Sequence, residues 1–230
     1  MQQDLPFRKP PPTHGGRRDG AGRKPSRGRR RVPHRTRAVT KPRFPVQVTV
    51  RMRPEIARLR NFDLIPVLRR AFVHGCNKGV FRICQFSIQG NHMHMICEAV
   101  DNEALARGMQ AWAVRVARGL NKKLGRTGAV FADRYHARIL RTPTECRNSL
   151  CYVLQNARRH GERLSAQWHG MDPFSSAWWF DGWKDAGWRE GLLPPESRTV
   201  AEAQTWLLRV GWRQQGLIAI EEVPPAGRMK

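Results

Sequence analysis

Between residues 46 and 160 the hydrophobic period switches repeatedly, and each switch marks an element. Val46-Gln-Val-Thr-Val-Arg-Met52 alternates apolar and polar side chains with β-branched enrichment, which predicts a first strand closed by Pro54. Leu64, Val67, Leu68, Ala71 and Phe72 then recur at helical spacing, with Pro66 suited to the first turn and Gly75 to the stop. Strands over 80–88 and 91–99 flank the turn residues Gln89-Gly90-Asn91, the pattern of an antiparallel hairpin. From Asn102 to Leu124 the stripe Leu105, Met109, Trp112, Val116 and Leu120 predicts a long amphipathic helix. A short alternating run over 134–140 predicts a fourth strand. A last helix starts at a Thr144 cap with Glu145 behind it, buries Leu150, Val153, Leu154 and Ala157, runs to about Arg159 and stops at Gly161. The order β-α-β-β-α-β-α specifies an α+β fold: a ferredoxin-like or RRM-like antiparallel sheet with helices on one face.

The flanks differ from this core. Residues 1–45 carry fourteen Lys or Arg against two acids and eight of the sixteen prolines, so they predict a disordered basic arm. Its pieces, including Arg27-Gly28-Arg29-Arg30-Arg31, have the form of AT-hook arms that place arginine in a narrow minor groove; a generic polybasic tail is the simpler reading. The core spans 46–163. From 164 to 220 the chain holds seven of its eight tryptophans, too much apolar surface for a disordered tail, and predicts an ordered accessory segment packed on the core, with 221–230 as a tail. Thr199 to Leu217 reads as a helix pair, or one helix broken at Gly211. Core packing is favoured for the tryptophans over stacking on unpaired bases.

The 230 residues carry a net charge of +24, which draws the chain to polyanions and makes nucleic acid the leading partner. No apolar run of about 18 residues predicts a membrane span, and Met1 to Pro12 lacks the apolar core of a secretory signal, which places the chain in the cytosol. The five cysteines, irregularly spaced and without a C-x-x-C pair, read as small buried hydrophobes rather than a disulfide framework or zinc ribbon. On the long helix, Arg107, Arg115, Arg118 and Lys122 share a face, either simply solvated or phosphate-contacting.

The third strand opens with His92-Met93-His94. Alternation puts both imidazoles on one face, where they can share a metal ion, although such a pair taken alone reads better as two surface histidines. On the last helix Tyr152 and Asn156 stand four residues apart and share a face. If that helix packs beside the third strand, two imidazoles, one amide oxygen and an open position assemble for a phosphodiester, with Mg²⁺ or Mn²⁺ the fitting metals, zinc not ruled out, and Tyr152 the in-line nucleophile. A phenol is a weak nucleophile without nearby positive charge, for which Arg138, Arg158 and Arg159 are the candidates.

Gly90-Asn91-His92-Met93-His94-Met95-Ile96 and Cys151-Tyr152-Val153-Leu154-Gln155-Asn156-Ala157-Arg158-Arg159 together resemble the signature segments of the single-tyrosine HUH transposases, among them the REP-associated tyrosine transposases. The resemblance covers about residues 44–162. It implies that Tyr152 forms a 5′-phosphotyrosine with single-stranded or hairpin DNA, that His92 and His94 bind the divalent metal, and that Asn156 is the third ligand. Two positions depart from the family pattern: Ala157 replaces a usual proline, and Gln47 stands where histidine is frequent. Gln155 is the alternative amide, about 100° around the helix from Asn156. A homodimer in which Tyr152 serves a partner's His pair and a monomer using its own are both compatible with the sequence, as is a decayed relative that binds nucleic acid without chemistry. A related HUH replication or relaxation nuclease would share the site, but a helicase-sized extension is missing.

Overall fold

The computed structural model describes residues 38–56, 58–75, 79–161, 170–184, 187 and 198–224. Arg29, Arg30 and Arg31 of the basic arm, Cys76, Trp168 and Trp188 lie outside the described residues. The elements are β1 (Val46–Arg51), α1 (Ile65–Gly75), β2 (Phe81–Ile88), β3 (His92–Ala99), α2 (Asn102–Lys123), β4 (His136–Ile139), α3 (Pro143–Leu154), α4 (Asn156–Arg159) and α5 (Trp206–Arg209). The four strands form one antiparallel sheet in the order β2-β3-β1-β4.

Alternation along each strand sorts side chains between two layers. Val46, Val48 and Val50 of β1, Phe86 and Ile88 of β2, and Met93, Met95 and Cys97 of β3 enter the core beneath α1 and α2, which supply the expected helical cover. There the Phe72 ring stacks on Phe86 at 3.9 Å and tilts against fully buried Trp112 at 5.4 Å. A Cβ on Gly108 would stand 2.2 Å from the Phe81 ring, so glycine lets α2 approach β2 this closely. The last helix takes the opposite face: Leu150, Cys151, Val153 and Leu154 of α3 form a second core with Cys84 and Ile96 of the sheet and Trp183, Trp212 and Ile218 of the C-terminal segment.

That segment is stitched to the sheet by main-chain and charged bonds. The Ile88 amide donates to Phe174 O at 2.8 Å, and the Ser176 amide to Phe86 O at 2.9 Å. The Glu98 carboxylate, 3% exposed, pairs with Arg82 and accepts the Gln204 and Thr205 amides ahead of α5. Residues 199–204 form neither helix nor strand, and the predicted helix pair reduces to the single turn of α5 followed by a 3-10 turn over Gly211–Gln215. Of the described C-terminal tryptophans, Trp183 and Trp212 are buried, Trp178 and Trp179 half-buried, and Trp206 exposed. Cys84, Cys97, Cys146 and Cys151 are buried free thiols, as expected. Among the described residues no helix is long and apolar enough to cross a membrane.

The deepest of these ties is a two-pronged pair in which Arg60 donates to both Asp172 oxygens at 2.9 and 3.0 Å, with side chains 6% and 1% exposed. Breaking a buried pair from one side leaves a stranded charge, so Asp172→Ala is expected to cost about 3–5 kcal/mol in a denaturant melt. A loss under about 1 kcal/mol would show that the segment docks without it.

Candidate active site

On the face opposite α1 and α2, β3 presents His92, His94 and Ile96. The register sets Thr49 of β1 and Ser87 of β2 on either side of His94, and Arg51 opposite His92. Opposite these strands sits α3, held by Ser149, whose buried hydroxyl donates to Gln47 Oε1 at 3.1 Å. Gln47, the departure from the family pattern on β1, thus serves to dock the helix.

The cap falls two residues before the expected one. Thr142 Oγ1 accepts the Glu145 amide at 3.2 Å, and Glu145 Oε2 accepts the Arg141 amide at 2.6 Å. Pro143, which has no N–H to satisfy, is suited to the first helical position, so the cap falls on Thr142 and not Thr144. Nor does one helix run to Arg159. It breaks at Gln155 (φ −110°, ψ 14°), whose buried amide donates to Ala219 O and Ile220 O at 3.2 and 2.6 Å. Gln155 is therefore engaged with the C-terminal segment, away from the histidines.

Across the break, Tyr152 and Asn156 still serve one site. The Tyr152 hydroxyl lies 3.3 Å from His94 Nε2, with ring centroids 4.9 Å apart. The His92 and His94 rings stand edge to face at 4.7 Å. Tyr152 thus reaches the His pair of its own chain. The outer ring nitrogens are also held: His92 Nδ1 donates to Asn91 Oδ1 at 2.9 Å, and His94 Nδ1 meets Thr49 Oγ1 at 3.0 Å. With the outer protons placed on Asn91 and Thr49, each Nε2 keeps a lone pair facing the tyrosine side. Asn156 is fully buried beside the Tyr152 hydroxyl, which its side chain approaches without a hydrogen bond of good geometry from either Oδ1 or Nδ2. An amide left so at that depth costs about 1–3 kcal/mol unless a ligand completes it. Its place beside the phenol fits an oxygen donor that joins the two imidazole nitrogens. Among the described residues no group of three or more His, Cys, Asp or Glu converges.

Burial dominates the electrostatics. It pushes the His94 pKa down to about 3, helped by His92 and His160, and lowers that of His92 with help from Arg51 and His160. Both imidazoles are therefore neutral at physiological pH. The Tyr152 hydroxyl is pushed up by burial, which outweighs the Arg159 guanidinium 5.7 Å from the ring centre and the nearby Asn156 amide. Of the three cations considered for the phenol, Arg159 is in place. Arg158 instead donates to Gly170 O at 2.7 Å, and Arg138 is paired with Glu145 at 3.2 Å. Arg115, Arg118 and Lys122 line a groove between α1 and α2 on the far side of the sheet, while Arg107 pairs with Glu103. Thr49, Arg51, Asn91 and His160 escape sequence reasoning. Period two would have put Thr49 and Arg51 on one face, but their neighbours depend on register, and nothing in the spacing flags His160.

The depressed His94 pKa has a stability consequence. The unfolded chain binds a proton at this residue below about pH 6.5, whereas the folded chain resists it until about pH 3, so stability present above 6.5 drains as pH falls across that window. Each unit costs up to about 1.4 kcal/mol from this group. In metal-free buffer the Tm of wild type is expected to fall more steeply from pH 7 to pH 4 than that of His94→Gln. Parallel curves would contradict the burial of a neutral imidazole.

No protein-family model matches the chain, and no curated protein matches it. Among solved structures it is similar to a REP-associated tyrosine transposase bound to a REP hairpin, with a TM-score of 0.50 and 18% identity, covering 63% of this chain and 82% of that one. At that identity the likeness is one of fold alone, the four-stranded antiparallel α+β arrangement described above.

Proposed function

We propose that the chain is a single-tyrosine DNA strand transferase of the HUH transposase kind, cleaving and rejoining single-stranded DNA beside a hairpin. The observation that carries this reading is the Tyr152 hydroxyl 3.3 Å from His94 Nε2, next to an Asn156 amide buried without a hydrogen bond of good geometry. Fold likeness to a transposase bound to a hairpin and the +24 charge agree with it.

In this reading Tyr152 Oη attacks the phosphorus of a DNA phosphodiester. The bond from phosphorus to the 3′-oxygen breaks, a 5′-phosphotyrosine forms, and the 3′-oxygen leaves as a hydroxyl after gaining a proton. Attack by a 3′-hydroxyl reverses the step and rejoins a strand, with no energy cofactor required. The phenol must lose its proton, which passes to solvent, since His94, with a pKa near 3, is too weak a base to hold it at neutral pH. His94 and His92 are instead suited to donate Nε2 lone pairs, fixed by Thr49 and Asn91. These nitrogens and Asn156 Oδ1 would hold Mg²⁺ or Mn²⁺, which supplies positive charge to polarise the phosphate and favour the phenolate. Arg159 adds charge at the tyrosine ring, and Arg51, opposite His92, is placed to neutralise the phosphate as negative charge builds.

Incubation with a hairpin-flanked single-stranded oligonucleotide and Mn²⁺ is expected to give a covalent adduct on a denaturing gel. Tyr152→Phe should abolish it, and His94→Ala or chelation should remove nearly all of it. Thr49→Val, which takes away only an outer partner of His94, should reduce its rate about 10- to 100-fold. The catalytic reading fails if wild type forms no adduct, or if Tyr152→Phe forms as much. DNA binding that persists without any adduct, indifferent to His92→Ala, would identify a binding protein that has lost the chemistry.

A further inference from the structure

β2 carries two polar side chains that the chemistry above does not use. Ser87 stands directly across from His94 in the β2–β3 register, and Gln89, whose backbone amide donates to His92 O at 2.8 Å, stands across from His92. Residues opposed in this way share a face, with Cβ atoms about 4.5–5.5 Å apart. Both side chains therefore rise on the side of the sheet that bears the histidines and Tyr152. Both are sealed from solvent, Ser87 at 0% exposure and Gln89 at 3%, yet neither Ser87 Oγ nor Gln89 Nε2 has a hydrogen bond to a described group of the protein. Buried polar atoms left without a partner are rare, and two at neighbouring positions beside a candidate site point to a common cause.

The third such side chain is Asn156, and α3 carries it toward these two. Ser149 bonds to Gln47 of β1 and Tyr152 meets His94 of β3, so the helix crosses the sheet in the direction of β2. Four residues beyond Tyr152 add about 6 Å, more than the roughly 4.8 Å between strands, and bring Asn156 over β2, where Ser87 is the neighbour of His94. The two ends of its amide have opposite uses: Oδ1 can ligate a cation, whereas Nδ2 only donates. The Tyr152 hydroxyl, approached without a bond of good geometry, does not fix which end faces the histidines. An acceptor for Nδ2 on the β2 side does. One enclosed water meets the need, since Gln89 Nε2 and Asn156 Nδ2 fill its two lone pairs and one of its protons goes to Ser87 Oγ. That gives the three bonds or so typical of a buried water.

We infer that Ser87 and Gln89 are positioning residues for Asn156: through one enclosed water they hold its Nδ2 on the β2 side and so leave Oδ1 turned to His92 and His94. This rests on the proposed function for the role of Asn156 as a ligand. Ser87 and Gln89 touch neither the phosphodiester nor a metal ion. They determine how much of the time the amide is presented the right way round, and without them binding has to turn it.

The test titrates Mn²⁺ into the full chain without DNA and follows the electron paramagnetic resonance signal of the free ion, which bound ion loses. Wild type is compared with Ser87→Ala, Gln89→Leu, Asn156→Ala and the double variant Ser87→Ala/Asn156→Ala. Thr199→Val, which removes another buried hydroxyl without a hydrogen bond to a described group, is the control. Ser87→Ala and Gln89→Leu should each weaken Mn²⁺ binding about 10- to 100-fold, the usual effect of losing an outer partner of a ligand. The control should stay within about twofold of wild type, a bound set well inside that expected loss. Ser87→Ala should melt no lower than wild type, because the hydroxyl it removes has no protein partner to lose. Asn156→Ala should bind at least as weakly as Ser87→Ala, and the double variant no more weakly than Asn156→Ala, since Ser87 acts through that amide. Wild-type affinity in Ser87→Ala, or a Ser87→Ala loss that persists undiminished when Asn156 is already alanine, would overturn the inference alone. A wild type that binds no Mn²⁺ would overturn it together with the metal-dependent reading. A wild type that binds Mn²⁺ as expected but forms no covalent adduct would sink the proposed chemistry and leave this result standing, so the two fail distinguishably.

Discussion

Everything at the candidate site depends on the two-sided alternation of β3. Met93, Met95 and Cys97 are fully buried under α1 and α2, and that burial fixes the strand's rotation. His92 and His94 are then obliged to face the other way, since a one-residue slip would exchange the two sets and drive both imidazoles into an apolar core. The histidines are positioned by the methionines. Pairing with β1 extends the effect sideways, bringing Thr49 beside His94 and Arg51 opposite His92.

The second half of the site depends on what lies behind it. α3 would present Tyr152 to solvent if nothing pressed it to the sheet, and the C-terminal segment provides that backing. Arg147 grips Glu222 at 2.7 and 2.9 Å, Gln155 is bonded to Ala219 and Ile220, and Arg158 to Gly170. Trp183 and Trp212 fill the same core as Leu150 and Val153. These contacts also account for the break at Gln155: its side chain is held by the segment, and the chain restarts at Asn156 with the amide turned inward. The C-terminal segment thus sets the placement of Tyr152.

Much of this was legible in the sequence because it follows from period. The element order, the hairpin carrying the His pair and the shared face of Tyr152 and Asn156 all rest on local repeats, and the fold has the predicted class. What could not be read was long-range. Thr49 and Arg51 matter only through the β1–β3 register, and Gln155 only through a partner some sixty-five residues away. The cap at Thr142 was a local signal misassigned: Pro143 at the first helical position outweighs Thr144 as a start. Thr199 to Leu217 misled because its apolar spacing suited a helix, while Glu98 holds the Gln204 and Thr205 amides and 199–204 form no helix.

The candidate site combines two neutral imidazoles, a deeply buried amide and a phenol whose pKa burial pushes up. The chain has only two tyrosines, and Tyr135 packs against the core on the other face of the sheet. Replacing both with 3-fluorotyrosine therefore gives two ¹⁹F resonances, assigned by Tyr152→Phe. Substoichiometric Mn²⁺ should broaden the Tyr152 line first and strongly while the Tyr135 line persists. Equal broadening of both lines, or a Tyr152 line indifferent to Mn²⁺, would contradict a metal held by His92, His94 and Asn156 beside the nucleophile.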